Sequence, residues 1–390
     1  MFNRSIKINE NNSFFLFGPR GVGKTHLVKE RILADHRLVI DLLDPIELEM
    51  FSMDPHELIR RMDGAGALLE WVIIDEVQKI PKLLDLVHKL IEERPIKFAL
   101  TGSSARKLKR GGADMLAGRA FTYHLHPLTS FELGGGHDLR EILRFGTLPR
   151  IFQLTTAEEK KLYLQSYVST YIKEEIQVEQ IVRRLDPFRR FLQVAAQSNG
   201  EVISYSNIAR DVASTDKSVR SYFEILEDTL LGFLLEPYHA SIRKRQTTSP
   251  KFYFFDVGVQ RALARTVSLE ILPKTAEFGR SFEHLVILEM IRNSSYLRND
   301  FAFSYLRTKD GAEIDLVVER PGAPVALIEI KSADGVRDDH VRTLNRLATD
   351  FENAQAYCLS LDVSPKQIGN VRCLFWQEGV REILGGVAVF

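Results

Sequence analysis

Short apolar runs alternate with amphipathic segments over the first 130 residues of the chain. Apolar runs of this length are typical of buried strands, and the segments between them have the periodicity of helices. Such alternation predicts an α/β domain in which helices cover a parallel sheet. We expect this first domain to span residues 1–135 and to contain five strands, at 14–17, 38–40, 71–74, 97–100 and 121–125.

The pattern becomes mainly helical after residue 135. It predicts a long helix over 157–182, three further helices between 187 and 230, and two strands at 232–237 and 251–255. Three helices followed by a hairpin are the order of a winged helix. We therefore predict a helical linker and winged-helix domain over residues 136–270.

The last part of the chain returns to an α/β pattern. It predicts a helix at 276–292, then strands at 301–306, 313–319 and 324–331, another helix at 338–347, and two more strands. We predict a third domain over residues 271–390, and the whole chain is assigned to the α/β class.

Composition limits the classes of partner. The chain has 390 residues, with 52 Lys and Arg against 52 Asp and Glu, so any nucleic-acid surface must be local. No apolar run approaches the ~18 residues of a membrane span, and the first residues lack the core of a signal peptide. We expect a cytoplasmic protein with no membrane contact. Cys358 and Cys373 lie in apolar runs and are predicted to be buried free thiols.

The first predicted strand leads through G-x-x-x-x-G-K-T into a helix, the context in which a phosphate-binding loop occurs. Its backbone amides converge on phosphate, and the helix N-terminus adds partial positive charge. Lys24 is expected to reach the β- and γ-phosphates and Thr25 to bind magnesium. A glycine-rich turn beside a surface lysine is the alternative. We predict an ATP and Mg²⁺ site at Gly18, Pro19, Arg20, Gly21, Val22, Gly23, Lys24 and Thr25.

Two carboxylates end the third predicted strand. We expect Asp75 to hold magnesium through water and Glu76 to polarise the attacking water, a residue that a hydrolase needs and a kinase does not. The alternative is an apolar strand that ends in solvated acids, which is a common pattern. The phosphate-binding loop in the same domain favours the interpretation as a nucleotide site. Thr101 or Ser103, after the fourth strand, is the candidate γ-phosphate sensor, unless this segment is only a turn of small residues.

An arginine precedes the fifth predicted strand. We predict that Arg119 acts as an arginine finger that reaches the γ-phosphate bound by a neighbouring subunit. This role implies a homo-oligomer, such as a ring. A surface arginine without this role is the alternative.

Basic residues mark a local nucleic-acid surface on the predicted winged helix. The residues expected to contact DNA lie on the recognition helix and on the wing. They are Lys217 and Arg220 on the helix, and Arg243, Lys244, Arg245 and Lys251 on the wing. The alternative is a protein-docking module with a solvated basic turn.

An acidic hairpin follows in the third predicted domain. Residues two apart on a strand share a face, so Glu329 and Lys331 point the same way. Asp315 and Glu329, with Glu283 from the preceding helix, are candidate ligands of a second Mg²⁺ or Mn²⁺ ion, and Lys331 would orient a water for attack on a phosphodiester. A structural hairpin with cross-strand ion pairs is the alternative.

The chain resembles, almost from end to end, a prokaryotic family that joins an AAA-type ATPase domain to a C-terminal domain of unknown function. The motifs that carry the resemblance are 18–25, 71–76 with Gln78, 101–104, 116–119, 127–132, 250–256, and 308–315 with 329–331. The resemblance implies a P-loop AAA-type ATPase domain, a winged helix and a restriction-endonuclease-like C-terminal domain of the PD-(D/E)xK type.

Two functions are consistent with this sequence. The first is a Mg²⁺-dependent ATPase acting on DNA, with a nuclease-like C-terminal domain. The second is a regulatory or scaffold ATPase whose C-terminal region binds a protein partner and cuts nothing. A basic cleft between Lys331 and the wing would favour the first, and an apolar patch there the second.

Overall fold

The computed structural model describes residues 2–32, 36–104, 118–171, 185–239 and 249–385. The described chain forms two compact units. The smaller unit contains Ile6–Pro127 and Asp228–Leu231, and the larger contains Met1–Ser5, Leu128–Glu227 and Gly232–Phe390. No helix in these ranges combines the length and the apolar character needed to cross a bilayer.

The smaller unit is built on a five-stranded sheet of order β2-β3-β4-β1-β5, in which every pairing is parallel. The predicted parallel α/β sheet is thus confirmed. Buried runs such as Phe-Phe-Leu-Phe in β1 exclude water from both faces. The strands are β1 (Phe14–Phe17), β2 (Arg37–Asp41), β3 (Trp71–Asp75), β4 (Lys97–Gly102) and β5 (Phe121–His124). Its helices are α1 (Lys24–Arg31), α2 (Pro45–Met53), α3 (Glu57–Ala65) and α4 (Lys82–Glu93).

The order of these strands positions the first candidate site. β4 lies between β1 and β3, so the segments that follow all three strands meet at one edge of the sheet. In parallel sheets, ligands bind at the carboxyl ends of the strands. The candidate sensors Thr101, near the end of β4, and Ser103, just after it, therefore lie at this edge.

The larger unit combines helices with an eight-stranded sheet of order β12-β13-β11-β10-β9-β8-β6-β7. Its strands are β6 (Gly232–Pro237), β7 (Lys251–Phe254), β8 (Ala302–Arg307), β9 (Glu313–Glu319), β10 (Val325–Lys331), β11 (Ala354–Ser360), β12 (Lys366–Ile368) and β13 (Val371–Phe375). The first helices are α5 (Ser130–Leu133), α6 (Leu139–Phe145), α7 (Ala157–Tyr171), α8 (Leu185–Gln197) and α9 (Tyr205–Asp211). The others are α10 (Asp216–Asp228), α11 (Val257–Leu263), α12 (Ala276–Leu297), α13 (Asp338–Ala348) and α14 (Trp376–Leu384).

Helices α8 to α10 and the β6–β7 hairpin follow one another in the order predicted for a winged helix. The hairpin, however, is also the edge of the large sheet, because β6 pairs in parallel with β8 at Glu236 and Ser304. No break in contacts therefore falls near residue 270, and residues 128–135 pack in the larger unit. The winged-helix assignment and the division into 1–135, 136–270 and 271–390 stay predictions.

A buried arginine ties distant segments of the larger unit together. Arg292 of α12 is 2% exposed. Its guanidinium donates to Leu128 O at 3.2 Å, Thr147 Oγ1 at 2.9 Å and Phe255 O at 2.6 Å. Burial lowers the pKa of Arg292, although nearby carboxylates oppose this.

Two buried carboxylates complete this network. Asp256 accepts from Thr147 N at 2.7 Å, and Glu289 accepts from Ser130 N and Oγ, both at 2.9 Å. Burial raises the pKa of Asp256 and of Glu289, while the charge of Arg292 lowers both. The network stabilises the unit only as a complete set, because a buried charge without a partner is costly.

The two cysteines are buried and free, as predicted. They lie opposite each other on the parallel strands β11 and β13.

Candidate functional site

The loop after β1 has the backbone conformation of an anion-binding turn. Gly21 and Gly23 adopt φ values of 81° and 95°, a region that glycine enters without strain. Gly23 precedes α1, whose first-turn amides lack acceptors within the helix and point toward the loop. A Cβ atom at Gly18 would collide with the carbonyl oxygen of Leu125, so this position requires glycine.

Lys24 is held inside this loop. Its side chain is 5% exposed, and Nζ donates to Gly18 O at 2.8 Å and to Pro19 O at 3.2 Å. The same ammonium lies 3.8 Å from Glu76 Oε1. The loop therefore presents one buried positive charge where a phosphate would enter.

Hydroxyl and carboxylate oxygens converge beside this lysine. Thr25 Oγ1 donates to Asp75 Oδ2 at 2.6 Å, and Thr101 Oγ1 donates to Asp75 Oδ1. These are the hard oxygen donors that Mg²⁺ prefers, and Mg²⁺ is commonly held by one or two protein groups with substrate phosphates and water. Thr25 and Asp75 thus fit the metal expected with ATP.

Glu76 has a constrained position immediately after β3. Its backbone adopts φ 55° and ψ 46°, a left-handed conformation that costs a non-glycine residue energy and is often found at functional sites. Its Oε2 accepts from Ser103 Oγ at 2.9 Å and from the amide of Gln78. Burial raises the pKa of Glu76, but the charge of Lys24 and these hydrogen bonds outweigh it and leave the pKa below its usual value. Glu76 is therefore ionised at neutral pH.

Gln78 is a site residue that the sequence analysis named only as part of a motif. Its Nε2 donates to Glu76 and, at 3.0 Å, to Ser103 Oγ, and the side chain is buried. Gln78 therefore joins the candidate base to the candidate sensor. The sequence signal was a glutamine two residues after the acid, but its burial and its contact with Ser103 are seen only in the structure.

Arg119 lies just before β5 with a side chain that is 37% exposed. Its guanidinium binds Glu92 of α4, with Nε 2.7 Å from Oε1. Arg119 is thus accessible but already paired within its own chain, and the finger role stays a prediction.

The candidate DNA-contacting residues separate into three groups. Lys217 and Arg220 are exposed on α10, and the guanidinium of Arg220 lies 3.8 Å from the centre of the Tyr205 ring. Arg243, Lys244 and Arg245 lie outside the described residues. The prediction for Lys251 is wrong. This residue is 3% exposed on β7 with Nζ 2.5 Å from Glu313 Oε1, so no wing surface presents it to a phosphate.

The candidate acids of the larger unit lie on β9, β10 and α12. β9 and β10 pair antiparallel, and Ile330 N donates to Asp315 Oδ2 at 2.7 Å. Glu329 Oε1 lies 2.5 Å from Lys331 Nζ, while its buried Oε2 has no hydrogen-bond partner. Glu283 Oε1 accepts from the Tyr253 hydroxyl at 2.8 Å.

The carboxylates of this cluster interact strongly. Burial, followed by the charge of Asp315, raises the pKa of Glu283 to about 7 and that of Glu329 to about 8. Burial also raises the pKa of Asp315. Several acids that share a poorly solvated space are typical of functional sites, although structural networks shift pKa values in the same way.

The cluster does not have the arrangement of a metal centre. Among the described residues, no three His, Cys, Asp or Glu side chains are grouped so as to hold a metal ion. The donor chemistry suits Mg²⁺ or Mn²⁺, but ammonium groups hold Glu329 and Glu313 instead.

Three parts of the chain match known family models. Residues 10–134 match a family described as AAA domain. Residues 136–270 and 278–375 match two domains of unknown function, DUF8612 and DUF4143. The match and the loop geometry support a P-loop ATPase domain of the AAA type in the first third of the chain.

The chain is similar to proteins from bacteria and archaea. It is 28% identical over 318 residues to an uncharacterized protein of Mycobacterium tuberculosis, covering 81% of this chain and 69% of that protein. It is 26% identical over 367 residues to an uncharacterized protein of Methanocaldococcus jannaschii, covering 80% and 74%.

Two solved structures are similar at lower identity. A Walker-type ATPase of Pyrococcus abyssi is 16% identical, with coverage of 65% of this chain and 91% of that chain and a TM-score of 0.46. The Orc1 protein of Aeropyrum pernix in complex with DNA is 11% identical, with coverage of 66% and 87% and a TM-score of 0.32.

Proposed function

We propose that this protein binds ATP at Gly18–Thr25 and hydrolyses it with Glu76 as the residue that polarises the attacking water. The observation that carries the proposal is the position of Glu76, an ionised carboxylate 3.8 Å from the loop lysine and fixed by hydrogen bonds. Phosphate release from ATP in the presence of Mg²⁺ is the direct test.

Each residue of the site has a role in this reaction. On ATP binding, Lys24 exchanges the carbonyls of Gly18 and Pro19 for the β- and γ-phosphate oxygens. Thr25 and Asp75 would hold magnesium, which when bound would neutralise charge on the phosphates. Glu76 orients water for in-line attack.

Gln78 and Ser103 hold the Glu76 carboxylate in one orientation. Because positioning accounts for most of the catalysis in phosphoryl transfer, these two hydrogen bonds support turnover rather than binding. Thr101, which donates to Asp75, links the candidate sensor strand to the magnesium ligand.

Arg119 is proposed to act in trans in a homo-oligomer. Arg119→Ala and Glu76→Gln proteins are each expected to be nearly inactive alone and to recover ATP turnover when mixed, because a Glu76→Gln subunit supplies the finger to the intact site of an Arg119→Ala neighbour. The matched control is Arg94→Ala, since Arg94 also pairs within its chain, with Asp63 at 2.6 Å. A mixture no more active than the two separate proteins would remove this role.

We propose DNA as the partner, and metal-dependent cutting of DNA as a second candidate activity. Exposed Lys217 and Arg220 on α10 support DNA contact, and the unpartnered Glu329 Oε2 beside Asp315 supports a reactive C-terminal site. Cutting would require the acids to regroup around one metal ion. The alternative is a switch ATPase whose C-terminal region binds protein.

Two measurements with DNA separate these possibilities. Lys217→Glu and Arg220→Glu are expected to weaken duplex binding, measured by fluorescence anisotropy, because each reverses a charge near the phosphates. Lys89→Glu, at an exposed site of the smaller unit, is the control with the same change in net charge. Asp315→Ala should keep binding and lose Mn²⁺-dependent plasmid nicking. Equal binding by all variants and no wild-type nicking would favour the protein-partner alternative.

A further inference from the structure

One hydroxyl of the smaller unit contacts both acidic residues at the end of β3. The Thr101 hydroxyl donates to Asp75 Oδ1, and its oxygen accepts from the backbone amide of Glu76 at 3.2 Å. Strands β3 and β4 pair in parallel as far as Ile74 and Leu100. Asp75 and Thr101 are the next residue of each strand, so their side chains lie on the same face of the sheet. The pairing of the strands therefore places Thr101 beside the turn that carries both acids.

The hydrogen of the Thr101 hydroxyl is already in use. A threonine hydroxyl has one hydrogen to donate, and this one goes to Asp75. The Thr101 side chain is also fully buried, with 0% exposure. A residue that senses the γ-phosphate donates a hydrogen bond to the nucleotide, so Thr101 would have to release Asp75 in order to act in that way.

The contact with Asp75 fixes the orientation of this carboxylate. Oδ1 accepts from Thr101, while Oδ2 accepts from Thr25 Oγ1 at 2.6 Å. With one donor on each oxygen, a single rotation of the carboxylate satisfies both partners. Removing a group that orients a metal-binding carboxylate commonly costs about 10- to 100-fold in metal affinity or activity. Thr101 is in the position of such a group.

The contact with Glu76 supports a strained backbone. Glu76 adopts φ 55° and ψ 46°, a conformation that a non-glycine residue keeps only where its surroundings hold it. Its amide donates to Thr101 Oγ1, so the same hydroxyl that orients Asp75 also holds the turn after β3. Loss of this hydroxyl would release both acids together.

We propose that Thr101 is a positioning residue that couples magnesium binding at Asp75 to the placement of Glu76, and that it does not sense the γ-phosphate. The inference rests on the proposed ATPase function and assigns one residue of that site a different task. In the competing role, Thr101 leaves Asp75 when ATP binds and donates to the γ-phosphate.

Nucleotide affinity with and without Mg²⁺ tests the inference on the full-length protein. Fluorescent forms of ADP and of a non-hydrolysable ATP analogue are titrated in Mg²⁺ and in EDTA. Thr101→Val keeps the shape of the side chain and removes the hydroxyl. It is expected to lose about tenfold of the affinity that Mg²⁺ adds in wild type, for both nucleotides, and to bind as wild type does in EDTA.

Two further variants serve as controls. Thr101→Ser keeps the hydroxyl and should keep the gain from Mg²⁺. Thr122→Val makes the same chemical change at an exposed position of β5 and should match wild type. At saturating ATP and Mg²⁺, Thr101→Val should still show a lower kcat, because Glu76 is no longer held, and Thr101→Ser should restore it.

Other results would overturn the inference. A sensor role predicts that Thr101→Val keeps the gain from Mg²⁺ and loses the preference for the ATP analogue over ADP. A purely structural role predicts a lower thermal midpoint with an unchanged gain from Mg²⁺. If Thr101→Val fails to fold, Thr101→Ala replaces it with the same expected loss. A wild-type protein that binds neither nucleotide would remove the proposed function and this inference together, whereas an unchanged gain in Thr101→Val would remove the inference alone.

Discussion

Replacing Glu76 by glutamine is expected to leave ATP binding intact and to lower the rate of ATP hydrolysis about 10²- to 10⁴-fold. Glutamine keeps the size of the side chain and one oxygen that can accept from Gln78 and Ser103, so the loop should keep its conformation. It cannot accept a proton from water as the ionised carboxylate does. The measurement is phosphate release at saturating ATP, with a fluorescent nucleotide titration to confirm binding.

The control for this variant lies at the other end of β3, the strand that Glu76 follows. Glu70 is exposed and just precedes β3, so Glu70→Gln makes the same chemical change away from the loop. We expect it to hydrolyse ATP at the wild-type rate. Turnover by Glu76→Gln equal to that of Glu70→Gln would remove the assigned role of Glu76.

Replacing Arg292 by methionine is expected to destabilise the larger unit by about 3–5 kcal/mol. The change leaves Asp256 and Glu289 buried without their cation, and it removes three hydrogen bonds to distant segments. The free energy of unfolding can be measured by urea titration. In a Trp71→Phe background, Trp376 of the larger unit is the single tryptophan and reports on that unit alone.

Arg280→Met on the same helix is the control, because Arg280 is exposed and pairs only at the surface with Glu277. We expect its effect to stay within about 0.5 kcal/mol. Equal stability of the two variants would show that the buried network contributes little.

Local patterns were sufficient to predict the phosphate-binding loop and the strands around it. The loop is continuous in sequence, and runs such as 71–74 are apolar enough to identify a buried strand without knowledge of their neighbours. The pairing of β9 with β10 was also predictable, since a short turn joins them.

Contacts between distant residues could not be predicted in this way. Lys251 looked like a surface cation because nothing in its own segment shows that Glu313, far along the chain, lies against it. The parallel pairing of β6 with β8 joins residues separated by a long stretch of chain, and hydrophobic periodicity does not determine which strands become neighbours. The role of Gln78 in the site was not predicted for a related reason, because that role depends on a hydrogen bond to Ser103 of another segment.

Inorganic phosphate release by wild type and by Lys24→Ala tests most directly whether the loop Gly18–Thr25 binds ATP for hydrolysis. Lys24 provides the buried positive charge of the loop, so the variant should neither bind ATP nor release phosphate above the buffer rate. Wild type should release phosphate steadily when Mg²⁺ is present. Equal release by both proteins, or a wild-type protein that does not bind ATP, would contradict the claim.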